Sequence, residues 1–441
     1  MKKTIESTLD KWLKPVEVIP ETISENEIDT SVRTSIFIDI PAVYDYFQTA
    51  KMVPDYEKIL MYLKEHYGDD SSITVYDGKY KKHSLSSADY TIQKEYITSL
   101  RDVGYEVRNS IKYLQNNQKI VIKGTEVTLA IDMIYYGHST IDSYDLAVIV
   151  CGDHRKYRKL TDFVQETLGK KVKIFSFLQV YEDDHHKFLE LLNNLGLKVR
   201  QTYPIDTIRV KRMSDEIKLK IKLLNPKDIR QRVKAYNTNK SACNTNTSES
   251  EDTPDTFLFI DYGNIHHSLI ELRQKNAQLK YFKEVDFLLS LKHKASVRHH
   301  LKKIKLFMGM PRITIKDLDH MRAKKEQLIA QLNNHEFEVL FTINENKFTG
   351  GMKEQGVDLR IAINIIHAAL ENEFEKVILV SGDADFVNVV KKLRQLHKEI
   401  EIWSFTEAND TCPLSPFLYE ELTKDENNKN GVKSLNAMFK C

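Results

Sequence analysis

The stretch Phe257-Leu-Phe-Ile-Asp261-Tyr-Gly-Asn264 is a short apolar run that ends abruptly in an acidic residue. Three more runs have this form: Ile36-Phe-Ile-Asp39, Val148-Ile-Val-Cys151-Gly152-Asp153 and Val377-Ile-Leu-Val-Ser381-Gly382-Asp383. Such runs are typical of buried strands in a parallel sheet. Ligand sites of open α/β sheets lie beyond the carboxyl ends of the strands, so the aspartates are expected to converge there. Carboxylate oxygens suit hard cations such as Mg²⁺ and Mn²⁺. The chain is therefore predicted to hold two acidic, metal-binding α/β domains.

An internal repeat supports two copies. Four matches keep their order along the chain: Asp39 with Asp261, Glu126 with Asp358, Asp153 with Asp383, and Phe175-Ser-Phe177 with Trp403-Ser-Phe405. The offsets are 222, 232, 230 and 228 residues, so the spacing is nearly constant. We expect the two halves to share one sheet topology, with Asp39 and Asp261 on equivalent strands.

Strands and helices are predicted to alternate within each half, which indicates a mostly parallel sheet flanked by helices. In the first half the predicted elements are strands at Ser35–Ile40, Ile73–Asp77, Tyr105–Arg108, Leu146–Val150 and Val172–Phe177, and helices at Ala88–Val103 and Thr125–Tyr136. The predicted domain limits are an N-terminal extension at 1–30, a first domain at 31–205 with an extra helix–strand unit, a basic segment and polar linker at 206–255, a second domain at 256–424, and a mobile tail at 425–441.

Composition narrows the class of protein. The chain has 441 residues and no apolar run long enough to span a membrane, and its N-terminus lacks the apolar core of a signal peptide. The four cysteines show no C-x-x-C spacing, which argues against a zinc site and a disulfide framework and favours a cytoplasmic location. The net charge is only +2, so affinity for nucleic acid must come from local patches. The candidate contacts to RNA phosphates are Arg209, Lys211, Arg212, Lys218, Lys220 and Lys222.

The motifs FIDYGN at 259–264, KEQGVD at 353–358 and SGDADF at 381–386 resemble those of NYN domains, the PIN-like nucleases of the LabA type. The resemblance extends, more weakly, over the first half. It implies a metal-dependent ribonuclease that uses Mg²⁺ or Mn²⁺ and acts on RNA, single-stranded rather than double-stranded. It also implies that Asp261, Asp358 and Asp383 are the catalytic metal ligands, with Asn264 and Asp385 in support at the rim.

Both copies depart from the family pattern. In the second, Asn364 replaces a helix acid and Gln355 replaces a lysine. In the first, Ala42 replaces the asparagine and Arg155 replaces the second turn acid. A possible second site remains there, made by Asp39, Glu126, Asp132 and Asp153. We expect the second domain to carry the activity and the first to contribute binding or stability.

Two other functions compete with the nuclease hypothesis. A phosphatase of the haloacid dehalogenase type also begins with a strand and an aspartate, but it needs a second aspartate two residues later. Gly263 and Pro41 stand there, which argues against this class. A non-catalytic RNA-binding or partner-binding regulator, built from decayed nuclease domains, stays open, as does a homo-oligomer or a protein partner. We expect no association with membranes.

Overall fold

The computed structural model describes residues 32–114, 120–198, 254–275, 283–311, 319–346, 352–353, 356–405, 414–424 and 431–435. The predicted N-terminal extension at 1–30 lies outside these residues, and so does the basic segment with all six candidate RNA contacts, from Arg209 to Lys222. Within the described residues, no helix combines the length and the apolar character needed to cross a membrane.

Each half is built around a central apolar strand that helices cover on both faces. In the first half this strand is β1 (Thr34–Asp39), and in the second half it is β9 (Asp255–Asp261). Residues Phe257 to Ile260 are completely buried, as a strand covered on both faces requires.

The first domain, residues 32–198, contains one six-stranded sheet in the order β5-β4-β3-β1-β6-β7. All neighbours pair in parallel except β5, which is antiparallel to β4. In addition to β1, the strands of this domain are β2 (Met52–Pro54), β3 (Ser72–Tyr80), β4 (Glu106–Leu114), β5 (Ile120–Lys123), β6 (Leu146–Cys151), β7 (Lys171–Ser176) and β8 (Gly196–Lys198). The α-helices are α1 (Ile40–Thr49), α2 (Tyr56–Tyr67), α3 (Ser87–Val103), α4 (Thr125–His138), α5 (Arg158–Glu166), α6 (Phe177–Asp183) and α7 (His185–Leu195).

The second domain, residues 254–435, repeats this order as β12-β11-β10-β9-β13-β14 and adds β15 at the edge. Its further strands are β10 (His300–Pro311), β11 (Glu338–Asn346), β12 (Met352–Lys353), β13 (Lys376–Val380), β14 (Glu399–Ser404) and β15 (Gly431–Ser434). Its α-helices are α8 (Tyr262–Lys275), α9 (Glu284–Ser296), α10 (Asp319–Leu332), α11 (Val357–Leu370), α12 (Val387–Gln395) and α13 (Pro416–Leu422). Asp39 and Asp261 end equivalent central strands, which confirms the predicted fold class and repeat.

Several short elements escaped the sequence analysis. The antiparallel strands β5 and β12 precede the equivalent helices α4 and α11 in their domains. The extra helix–strand unit of the first domain does not join the main sheet, because β8 pairs with β2 in a separate two-stranded sheet. Residues 431–434, predicted to lie in a mobile tail, instead form β15, which pairs in parallel with β14.

The edge strand β15 is also fixed by charge. The carboxylate of Glu401, on β14, is buried and accepts contacts from Lys376 Nζ at 2.7 Å and Lys433 Nζ at 2.6 Å. The indole Nε1 of Trp403 donates to the same carboxylate at 3.0 Å. A buried carboxylate needs such partners, because an unpaired buried charge is strongly unfavourable.

The two domains share a hydrophobic core through α4 and α11, which contact each other directly. Both helices are buried on nearly all of their faces. A helix that is apolar all round must be covered on every side. Each of these helices therefore packs on its own sheet with one face and on the other domain with another.

A shared core predicts that damage to one domain lowers the stability of the other. Leu129 lies on α4 and is completely buried. Leu129→Ala is expected to lower the free energy of unfolding by about 2–5 kcal/mol, because it leaves a cavity. The shift should appear in the fluorescence of Trp403, which is buried in the second domain, during urea unfolding of a Trp12→Phe background. An unchanged Trp403 transition would show that the domains unfold independently.

Candidate metal centre

Asp261 forms the base of the acidic site at the end of β9. Its side chain is only 5% exposed. Oδ1 accepts a hydrogen bond from the backbone N–H of Asn264 at 3.1 Å, and Oδ2 accepts one from Ser381 Oγ at 2.9 Å. Because Ser381 follows β13, this second bond joins the carboxyl ends of two neighbouring strands.

The turn after β13 places two further carboxylates. Asp383 caps a short 3₁₀ turn, since its Oδ1 accepts from the backbone N–H of Asp385 at 3.1 Å. The side chain of Asn264 supports the turn from the other side, where its Oδ1 accepts from Gly382 N–H at 3.3 Å. Asn264 therefore orients the backbone that carries Asp383.

Asp358 enters from α11. This helix begins after Gly356, whose φ of +77° is the left-handed conformation that favours glycine. Asp358 lies in the first turn, where the helix dipole favours a negative charge. Oxygen atoms of Asp358, Asp383 and Asp385 all lie within 4.8 Å of one another. Among the described residues, these three form the one group of acids, histidines or cysteines that is close enough to hold a metal ion.

This grouping differs by one member from the trio of Asp261, Asp358 and Asp383 that the sequence predicts. Asp385, expected at the rim, lies within the group. Asp261 lies at its base, close enough for its charge to act on Asp358, while its two oxygens bind Asn264 and Ser381.

Negative charge accumulates in this group. Burial and the neighbouring carboxylates, that of Asp261 above all, raise the pKa of Asp358 well above its ordinary value. Burial, together with repulsion by Asp383, raises the pKa of Asp385 to about 6. Crowded carboxylates of this kind attract cations.

One cation reaches the group from the other domain. Lys123 Nζ lies 3.1 Å from each carboxylate oxygen of Asp383 and 3.0 Å from Asp385 Oδ2. Burial alone would lower the pKa of Lys123, but the carboxylates of Asp385 and Asp383 outweigh it and raise the pKa above its ordinary value. Lys123, a residue of the first domain, thus balances part of the negative charge in the second domain.

The equivalent acids of the first domain find their partners, charged or uncharged, within their own domain. Lys156 Nζ binds Glu126 Oε1 at 2.7 Å. Arg155 holds both oxygens of Asp153, with Nε and Nη2 each at 2.8 Å. Although burial alone would raise the pKa of Asp153, the hydrogen bonds and charge of Arg155 lower it. Asp39 accepts from the hydroxyl of Tyr157 at 2.6 Å.

Asp132, the fourth candidate in the first domain, has other partners. Its Oδ2 accepts from Tyr76 Oη at 3.0 Å and from Arg108 Nε at 3.1 Å. Its repeat partner Asn364 is similarly engaged, since its Oδ1 accepts from Lys305 Nζ at 3.0 Å. Asp132 and Asn364 thus each form polar contacts between their own helix and a strand of the same domain.

Lys156 and Tyr157 are functional neighbours that the sequence analysis missed. Both follow the motif Cys151-Gly152-Asp153, and the repeat aligns them with Phe386 and Val387 of the second domain. An alignment of the two halves could have revealed these residues, because Lys156 and Tyr157 are polar where the second domain has apolar side chains.

Comparison with known families supports this reading of the repeat. The model of the NYN domain matches residues 33–194 and again residues 255–416, which together make up well over half of the chain. The chain belongs to the NYN domain family. The two matches confirm tandem NYN domains and contain the strands of the two main sheets except for the edge strand β15.

Other comparisons add little. A search of curated proteins found no match. Among solved structures, the crystal structure of UDP-GlcNAc 2-epimerase from Neisseria meningitidis bound to UDP-GlcNAc is similar at 9% identity. The alignment covers 86% of this chain and 83% of that chain, with a TM-score of 0.18. Similarity at this level supports no inference about fold or function.

The bond between Tyr157 and Asp39 predicts a measurable contribution to stability. Tyr157→Phe keeps the buried ring and removes only the hydroxyl, which leaves the buried Asp39 carboxylate short of a donor. Its free energy of unfolding in urea should fall by about 1–3 kcal/mol. In an Asp39→Ala background the same substitution should cost less, because the hydroxyl has already lost its acceptor. Equal losses in the two backgrounds would contradict this assignment.

Proposed function

We propose that the protein is a metal-dependent ribonuclease whose second NYN domain hydrolyses phosphodiester bonds of RNA. The observation that carries the proposal is the group of Asp358, Asp383 and Asp385, whose oxygens lie within 4.8 Å of one another beyond the ends of the central strands. Membership of the NYN family supports the same class of reaction.

The residues present fit a hard divalent cation such as Mg²⁺ or Mn²⁺. All three donors are carboxylates, which these ions prefer to nitrogen or sulfur ligands. Burial and repulsion by neighbouring carboxylates raise the pKa values of Asp358 and Asp385 even beside Lys123, so a further cation would stabilise their charged forms. When bound, such an ion supplies a water of lowered pKa and stabilises the leaving oxygen.

The protein holds the carboxylates in place for this chemistry. Asp383 and Asp385 are held by one tight turn, which the hydrogen bonds of Asn264 and Ser381 fix to the end of β9. Asp261 accepts a hydrogen bond from Ser381, just before this turn, and adds a nearby negative charge to Asp358. We assign Asp358, Asp383 and Asp385 as the residues that hold the ion, with Asp261 and Asn264 in support.

The first domain is the poorer candidate for catalysis. Arg155 occupies both oxygens of Asp153, and Lys156 occupies Glu126. These cations belong to the same domain and are fixed by short local segments. We infer that the first domain stabilises the second and contributes to binding.

A non-catalytic RNA-binding protein is the second candidate, favoured by the contacts of Lys123 with Asp383 and Asp385. Cleavage of a single-stranded RNA in Mn²⁺ separates the two functions. A nuclease should cut it, and EDTA should abolish the cutting. RNA binding without Mn²⁺-dependent cleavage would favour the binding protein.

Equivalent substitutions in the two domains test where activity resides. Asp383→Asn should lower the Mn²⁺-dependent rate of RNA cleavage by about a hundredfold or more, because it removes one charge from the proposed ion site. The amide oxygen can still accept from Asp385 N–H, so the turn should be kept. Asp153→Asn is the matched control and should leave most of the cleavage rate intact. Equal losses, or a larger loss for Asp153→Asn, would contradict the assignment to the second domain.

A further inference from the structure

Lys123 is the last residue of β5, yet the partners of its ammonium lie in the other domain. An ammonium group has three N–H donors. Three carboxylate oxygens lie at 3.0–3.1 Å from Nζ, two of Asp383 and one of Asp385. The contact is thus saturated, and it engages two of the three residues assigned to the ion.

We propose that Lys123 is a counter-ion, tethered to the first domain, which a divalent cation must displace before it binds the acidic group of the second. The proposal rests on the metal-dependent function proposed above. It assigns the first domain a specific task, control of metal loading, that its own neutralised acids do not perform.

Displacement follows from the shared ligands. A divalent cation bound to the oxygens of Asp383 and Asp385 would stand within a few ångströms of the ammonium that contacts the same atoms. Two cations at such a separation repel strongly in a partly buried site. The apo group is stabilised by Lys123, and the loaded group requires Lys123 to move.

The geometry allows this movement without separation of the domains. The Lys123 side chain is 30% exposed, so its flexible stem has a path to solvent. The backbone beside it is held in place: Gly124 has a φ of +83° and packs against the backbone of Asp385. One turn further, Asn388 Nδ2 donates to Thr128 Oγ1 across the same boundary.

The arrangement is asymmetric between the two domains. In the repeat, the position of Lys123 corresponds to Gln355, which carries no charge. The first domain instead neutralises its acids with Arg155 and Lys156, from the turn that carries Asp153. A counter-ion that comes from another domain is therefore specific to the acidic group that is assigned to the metal.

Titration of the full-length protein with Mn²⁺ alone, followed by calorimetry, tests the proposal. Lys123→Gln introduces the side chain found at the equivalent position and should lower the Kd for Mn²⁺ by about tenfold or more, because a competing cation is removed. Lys123→Arg keeps the charge and should bind no more tightly than the wild type. In EDTA, Lys123→Gln should melt at a lower temperature than the wild type, and Mn²⁺ should raise its melting temperature by more.

The matched control is Lys81→Gln. Lys81 also forms an ion pair across the domain boundary, with Glu420, but it does not contact the acidic group. Its loss should leave the Kd at the wild-type value. Asp383→Asn measures how much Mn²⁺ binds at sites other than the acidic group. If Lys123→Gln does not fold, Lys123→Met repeats the test with another uncharged side chain.

The outcomes separate the two proposals. Tighter binding by the neutral Lys123 variants alone, or binding by them where the wild type binds none, supports the counter-ion. If the neutral Lys123 variants bind Mn²⁺ as tightly as the wild type or more weakly, the counter-ion proposal is wrong. The proposed metal site still stands in that case if the wild type binds Mn²⁺ and Asp383→Asn abolishes this binding. Absence of binding in the wild type and in every Lys123 variant overturns both.

Discussion

The packing of α4 against α11 is the contact on which the rest of the arrangement depends. Each helix is too apolar to present a face to water, and each sheet covers only one side of it. The remaining sides are buried together in one core. This hydrophobic requirement fixes the first turns of the two helices near each other. The helix α4 begins two residues after Lys123, and Asp358 is the second residue of α11. The position of a charged contact is thus set by apolar packing.

The two domains balance similar acids in different ways. Both end a central strand in an aspartate, and both place one further acid just after a neighbouring parallel strand and another in the first turn of a buried helix. In the first domain the balancing cations follow Asp153 directly in the chain, so the charge is neutralised locally. In the second domain the equivalent positions hold Asp385 and Phe386, and the balancing cation comes from outside the domain. The same scaffold therefore produces one closed ion-pair cluster and one group with surplus negative charge.

Much of the fold could be predicted from the sequence because buried parallel strands have an unmistakable pattern. The strand predicted at Ser35–Ile40 is β1, displaced by one residue at each end, and the apolar run that ends at Asp261 is β9. The partners of individual site residues were harder to predict. The path of one tight turn decides whether Asp261 or Asp385 joins Asp358 and Asp383 in the acidic group. The destination of Lys123 depends on how the two domains pack against each other, which no local pattern encodes.

The strand β15 shows that the physical domain is longer than the unit by which the family is defined. The NYN match ends at residue 416, yet Lys433 supplies one of the cations that surround the buried carboxylate of Glu401. A chain trimmed to the matched residues would keep every acid of the candidate centre. It would also open the β14 edge to pairing with another molecule and leave Glu401 with less positive charge around it. Aggregation of such a trimmed protein would then reflect an exposed strand rather than a defective centre.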